Sequence, residues 1–209
     1  MSSTHRRAAG ADDLGRLRIL REYWLRDHAW VRLFVPNFYR VDADLYRANH
    51  PGFGRLRRAR DLGIRSVLSL RGDRATAPTL IERDACAALG LDLRFVRLWT
   101  TRLVDGDVLL DLVDKLRHMP KPMLVHCKSG ADRTGLAVTL YLHVLKGMPL
   151  DEARRALNWR YAHLPWTSAG IVHAMLDAYA ADRAASGIGF EDWVRTRYDK
   201  TALTQAWKG

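Results

Sequence analysis

The stretch VHCKSGADRTGL, Val125 to Leu136, decides the fold. Upstream of it, KPMLVH (121–126) is a short apolar run of strand type. Downstream, RTGLAVTLYLHVLKG (133–147) has helical spacing and closes on a glycine. A strand that passes to a helix through so few residues makes a tight loop. Such a loop points successive backbone N–H groups into one concavity at the positive end of a helix, a place that suits an anion. Gly130 lets the backbone turn closely. Cys127 sits at the base, where the N–H groups and the helix terminus favour its thiolate. Arg133 offers a planar fork to two phosphate oxygens. A thiolate beneath a phosphate held by an arginine and a ring of amides is arranged for in-line attack on phosphorus. The hydroxyl of Thr134 is placed to stabilise the sulfur as it leaves in a second step.

Working outward, strand and helix patterns alternate. DLYRANHPG (44–52) reads as a strand and turn, FGRLRRARDLG (53–63) as a helix and IRSVLSLRGD (64–73) as a buried strand and turn. TLIERDACAALG (79–90) reads as a helix closed by Gly90, LDLRFVRLW (91–99) as a strand, and DVLLDLVDKLRHM (107–119) as a helix with Asp107 as its N-cap. This alternation predicts an α/β fold with a central, mostly parallel sheet flanked by helices. After residue 148 the pattern is all helical: 150–161, 168–184 and a short piece around 190–199. No Pro-, Gly- or Ser-rich linker divides the chain. The expected organisation is an N-terminal amphipathic helical extension (1–37, with the helix over 13–34), an α/β core (38–165), and C-terminal helices packed on the same domain (166–209).

The chain has 209 residues and a formal net charge of +11, most of it from arginine, which suits phosphorylated or otherwise anionic partners. The basic residues are scattered and no zinc-finger spacing occurs, so nucleic acid is not an expected partner. No apolar run approaches the ~20 residues that span a bilayer, and the N-terminus lacks the apolar core of a secretory signal. With only two cysteines, Cys86 and Cys127, the composition fits a reducing, cytoplasmic compartment. Arginine and tryptophan in the N-terminal helix leave peripheral membrane contact as an alternative to packing on the domain. The histidines show no metal-ligand spacing, and no nucleotide-binding glycine motif occurs. No metal or cofactor is expected.

His126-Cys127, five further residues, then Arg133-Thr134-Gly135 resembles the signature of the cysteine-dependent protein tyrosine and dual-specificity phosphatases. The segment from Asp42 to Asp73 is similar to the N-terminal half of the atypical dual-specificity type, and the resemblance covers roughly residues 38 to 165. It implies a phosphatase fold with an all-helical C-terminal part. It implies that Cys127 is the nucleophile of a phosphocysteine intermediate, that Arg133 binds the phosphoryl group, and that His126 helps hold the thiolate. The phosphate-binding loop then comprises His126, Lys128, Ser129, Gly130, Ala131, Asp132, Arg133 and Thr134.

Such an enzyme needs a general acid, typically worth about 10²–10⁴ in rate. The loop LWTTRLVDGDV (98–108) has no aspartate immediately after the strand. Asp105 is the first choice there, with Asp107 used as the cap. Asp132, inside the signature loop, is the alternative; an acidic residue at this place resembles myotubularin-type lipid phosphatases, and it would act as acid, as activator of water, or only as a cap of the following helix. Lys128 keeps phosphoinositides and inositol polyphosphates beside phosphorylated proteins as substrates. Two other classes stay open: a non-catalytic phosphate-binding module, and a sulfurtransferase or arsenate reductase. Cys86 is expected in the core or as a redox partner of Cys127, and the tryptophans of RALNWRYAHLPWTSAG (155–170) are expected to pack the C-terminal helices.

Overall fold

A computed structural model of the protein describes residues 37–208, so the expected helix over 13–34 lies outside the described residues. Among the described residues five strands form one sheet in the order β1-β2-β5-β3-β4. They are β1 (Tyr39–Arg40), β2 (Leu45–Ala48), β3 (Ser66–Ser69), β4 (Asp92–Phe95) and β5 (Met123–His126). Only the β1–β2 pair is antiparallel; β5 lies between β2 and β3 and runs parallel to both. Every residue of β3 and β5 is buried, as expected of parallel strands covered on both faces.

The alternation of side chains sorts two cores. Leu68, Met123 and Val125 face the larger one, with Leu109, Leu112 and Leu116 of α3 (Gly106–His118) and the C-terminal helices. Val67 and Leu124 face the smaller one, under α1 (Phe53–Asp61) and α2 (Ala77–Leu89). Gly90 closes α2 in the left-handed conformation that its missing Cβ permits. Helix α4 (Asp132–Leu140) leaves the end of β5 and runs into a single π turn at Tyr141–Leu145. The remaining helices are α5 (Leu150–Ala153), α6 (Ile171–Ser186), α7 (Phe190–Thr196) and α8 (Lys200–Lys208). Val172, Met175, Leu176 and Tyr179 of α6 and Trp193 of α7 join the larger core.

Several local expectations are corrected. Asp105, not Asp107, occupies the N-cap position of α3, and Asp107 lies in its first turn, where its carboxylate accepts from the Val108 N–H at 2.9 Å. The strand over 91–99 is confined to Asp92–Phe95. The helix over 150–161 stops after one turn: a 3₁₀ turn at Arg154–Ala156 follows, the chain leaves helical geometry at Leu157, and the extended Asn158 caps a second 3₁₀ turn at Trp159–Tyr161, its side chain accepting from the Arg160 N–H at 2.8 Å. Trp159 and Trp166 do not pack the C-terminal helices; they are 80% and 76% exposed. Helix α8 was not anticipated.

Candidate active site

The site lies where an open parallel sheet puts ligands, beyond the carboxyl ends of its central strands. Strand β5 ends at His126, and Cys127 to Ala131 form the loop that enters α4. Neighbouring strand ends hold it: the His50 N–H donates to the Lys128 carbonyl at 3.2 Å, and the Leu70 N–H to the His126 carbonyl at 2.9 Å. Gly130 has φ +79°, and a Cβ there would stand 2.8 Å from both Ala48 O and Asn49 N, so no other residue fits without moving backbone.

Cys127 is buried, and the Gly130 N–H donates to its Sγ at 3.2 Å. Burial raises the thiol's pKa, but the Arg133 charge, the Thr134 hydroxyl and N–H, and the Gly130 N–H together outweigh it. The thiol is held below its ordinary value. The Thr134 hydroxyl is buried with no hydrogen-bond partner among the described residues, and it is one of the influences that lower the thiol's pKa. Arg133 reaches the Leu70 carbonyl at 3.5 Å through one terminal nitrogen, while its buried Nε has no protein partner and remains a donor for an oxyanion.

A second guanidinium, which sequence reasoning missed, braces the loop from below. Arg47 of β2 is buried; it donates to Gly130 O at 2.9 Å and Ala156 O at 3.0 Å, with the Tyr161 ring 3.6 Å away. Burial lowers its pKa to about 10, against the opposing effects of Tyr161 and the Cys127 sulfur, so it stays a cation near the thiolate. Its sequence signal was a charged residue inside an otherwise apolar strand. Asn37 adds a further tie, donating to Ser129 O at 3.0 Å.

His126 contacts the loop backbone, its Nδ1 lying 3.2 Å from the Cys127 carbonyl; its Nε2 pairs with Glu82 of α2. The Ser69 hydroxyl donates to the other Glu82 oxygen at 3.2 Å, and His50 lies edge-on to His126. Among the described residues His50, Glu82 and His126 bring possible metal ligands together. However, His126 and Glu82 already touch and Ser69 holds the second oxygen, so the carboxylate is committed to protein groups.

Beside Arg133 opens a cleft with largely apolar walls: Leu98, Leu103, Val104, Ile171 and Val172, with Trp99 and Arg102 also lining it. The guanidinium of Arg102 stacks on Trp99 at 3.8 Å. Asp132 lines this cleft, and its Oδ1 accepts from His163 Nδ1 at 2.7 Å. Asp105 is not among the lining residues; its carboxylate is exposed and pairs with Lys200 of α8. Lys128 and Ser129 are exposed on the loop. Cys86 packs in the smaller core, on the opposite face of the sheet from Cys127, its thiol pushed up to about 12 by burial and by Glu82. Among the described residues, no helix is long and apolar enough to cross a membrane.

Comparison with known proteins agrees with this fold. A model of the tyrosine phosphatase family matches residues 38–153. The dual specificity protein phosphatase TpbA of Pseudomonas aeruginosa (strain UCBPP-PA14) is 32% identical over 129 residues, 58% of this chain and 54% of TpbA. The match thus spans about half the length of that relative. The crystal structure of P. aeruginosa TpbA aligns with a TM-score of 0.53 at 21% identity, covering 83% of this chain and 92% of that one. The crystal structure of PTPMT1 aligns with a TM-score of 0.52 at 21% identity, covering 69% and 99%. Both share the fold.

Proposed function

The chain belongs to the tyrosine phosphatase family, and from that premise we propose that it hydrolyses phosphate monoesters through a cysteinyl-phosphate intermediate, without a metal. The observation that carries this reading is a thiol both buried and acidified at the floor of an N–H-lined loop with an arginine fork beside it. Burial alone gives an inert cysteine; the acidified one is a nucleophile.

In the first step Cys127 Sγ attacks phosphorus, the ester P–O bond breaks, and Asp132 protonates the departing oxygen. In the second, Asp132 takes a proton from water as that water attacks the phosphocysteine, and the S–P bond breaks to return the thiolate. Asp132 is the better acid than Asp105 because it lines the cleft beside Arg133, whereas Asp105 is exposed and held by Lys200. Arg133 and the loop N–H groups hold the phosphoryl oxygens throughout.

The apolar cleft walls favour an aryl phosphate, phosphotyrosine, over a heavily charged inositol polyphosphate, because an apolar wall repays the burial of a ring and not of further anions. TpbA has been solved in complex with pTyr. A phosphoinositide is the second reading, favoured by Arg102 at the cleft and exposed Lys128, and PTPMT1 has been solved in complex with PI(5)P. The test is phosphate release by wild type and Cys127→Ser on a phosphotyrosine peptide, a phosphoserine peptide, several phosphoinositides and inositol hexakisphosphate, with chelator present. Release by wild type alone, fastest from the phosphotyrosine peptide, is expected. Tight binding of phospholigands by both proteins with no release would overturn the catalytic reading.

A further inference from the structure

His163 is completely buried, in the turn between the 3₁₀ segment Trp159–Tyr161 and α6, and it is bonded at both ring nitrogens. Its Nδ1 lies 2.7 Å from Asp132 Oδ1, and its Nε2 lies 2.9 Å from His173 Nε2 of α6. His173 Nδ1 in turn lies 3.4 Å from a terminal nitrogen of Arg154. Four residues from α4, the 154–156 turn, the 158–163 turn and α6 form one chain. It starts in the phosphate-binding loop and reaches, through the half-buried His173 imidazole, an open groove lined by His173 with Arg154, Arg155 and Arg160.

One arrangement of protons gives every contact in this chain a donor and an acceptor. Arg154 can only donate, so His173 Nδ1 is the acceptor and its proton sits on Nε2. That Nε2–H points at His163 Nε2, which must then be bare, placing the His163 proton on Nδ1, where it donates to the Asp132 carboxylate. Every link has one donor and one acceptor, with both histidines neutral. The groups facing this pair are Asp132 and Arg154, with Asp177 and Asp151 bound to Arg154 at 2.8 and 3.9 Å. Burial, then His163 and Arg154, hold the His173 imidazole below its ordinary pKa, against a smaller opposing effect of Asp177, which agrees with a neutral ring.

We infer that Asp132, His163 and His173 act as one proton-sharing unit that aims Asp132 into the cleft and sets its protonation, with His163 the positioning residue and His173 the end open to solvent. A proton added at His173 Nδ1, with Arg154 released toward Asp177, moves the His173 Nε2 proton to His163 Nε2 and the His163 Nδ1 proton to Asp132 Oδ1. The histidines end neutral in the opposite tautomers, and the one added proton rests on Asp132, which is the form that protonates the leaving oxygen. In the ionised state the His163 N–H supports the carboxylate that accepts a proton from water. The unit thus serves both steps, and the inference rests on the reading of Asp132 as the acid and base of the reaction.

The test measures kcat and kcat/KM from acidic to basic pH for wild type, Asp132→Asn, His163→Leu, His163→Asn, His173→Gln and the double variant Asp132→Asn with His163→Leu. Thermal unfolding is followed alongside. His163→Leu removes a donor to the carboxylate. A loss of about 10–100-fold in kcat is expected, the scale for residues that orient a reacting group, with a pH profile that differs from that of the wild type. His163→Asn retains a donor and should recover much of kcat without restoring the wild-type profile. The double variant should lose no more than Asp132→Asn alone. His173→Gln, at a half-buried position, tests the outer end even where His163→Leu folds poorly, and should shift the profile at nearly normal stability. Unchanged profiles in His173→Gln and in whichever His163 variants fold, with a large loss in Asp132→Asn, would overturn the unit and leave Asp132 as the acid. Full turnover in Asp132→Asn would remove the premise instead.

Discussion

Cys86 and Cys127 are equally buried, at 1% exposure each, yet their thiols are displaced in opposite directions. Cys86 lies on a helix in the smaller core, with the Glu82 carboxylate as the neighbour whose charge it feels. Both influences favour the protonated thiol, which is pushed up to about 12. Cys127 faces the same desolvation, but it lies at the end of the central strand where a loop turns backbone N–H groups, an arginine and a threonine hydroxyl onto the sulfur. The difference shows that burial does not by itself decide a cysteine's chemistry. What decides it is whether the fold supplies donors and positive charge at the same point.

The strongest way to break this comparison is to exchange the sulfurs for oxygen. Cys127→Ser should lower phosphate release by ~10⁴-fold or more, since the proposed cysteinyl-phosphate intermediate cannot form. Cys86→Ser should leave turnover within about twofold by the same assay. Alkylation sharpens it without mutation. Iodoacetamide followed by peptide mass spectrometry should label Cys127 more than about 10³-fold faster than Cys86 at neutral pH, because reactivity follows the thiolate fraction. The sign is set by the lowered folded pKa. Labelling of Cys127 persists as pH falls below the ordinary 9.0 and is lost only as pH drops through the folded value, and the stability linked to the thiolate is lost over the same descent.

Arg133→Lys keeps the charge and removes the fork. A loss of about 10²–10³ in kcat is expected, as for the removal of a donor to a developing oxyanion. Gly130→Ala tests the loop's shape: the added methyl meets Ala48 O and Asn49 N at 2.8 Å and the residue keeps φ +79°. Chemical denaturation should show a stability loss of about 1–3 kcal/mol. The smallest effect belongs to Cys86→Ala, which should cost about 1 kcal/mol for the small cavity and leave kcat unchanged.

The legible parts of the molecule were those set by near neighbours in the chain. The strand, loop and helix from Met123 to Leu140 follow from apolar β residues, a glycine that tolerates positive φ, and helical spacing. Cys127, Gly130, Arg133 and Thr134 converge because seven or so residues of one tight turn have no other way to lie. The parallel sheet followed from strand and helix periods alternating along the chain. Helix ends were less legible: Asp105 and Asp107 are both good caps two residues apart, and the helix at Leu150 gives way to an Asn158-capped turn.

What only the tertiary structure decided is which distant residues stand behind that turn. Asp132 meets His163 across 31 residues and Arg47 meets Gly130 across 83, separations over which sequence spacing carries no geometric information. Asp105 is the first choice of acid by its place in the chain, and α8, itself not foreseen, supplies the Lys200 that pairs with it at the surface. Local sequence determined the N–H-lined loop that brings Cys127, Gly130 and Arg133 together, because backbone sterics act between neighbours. Packing of helices on the sheet determined that Asp132 meets His163, that His163 meets His173 and that Asp105 meets Lys200, because hydrogen bonds between separate elements exist only once those elements are assembled.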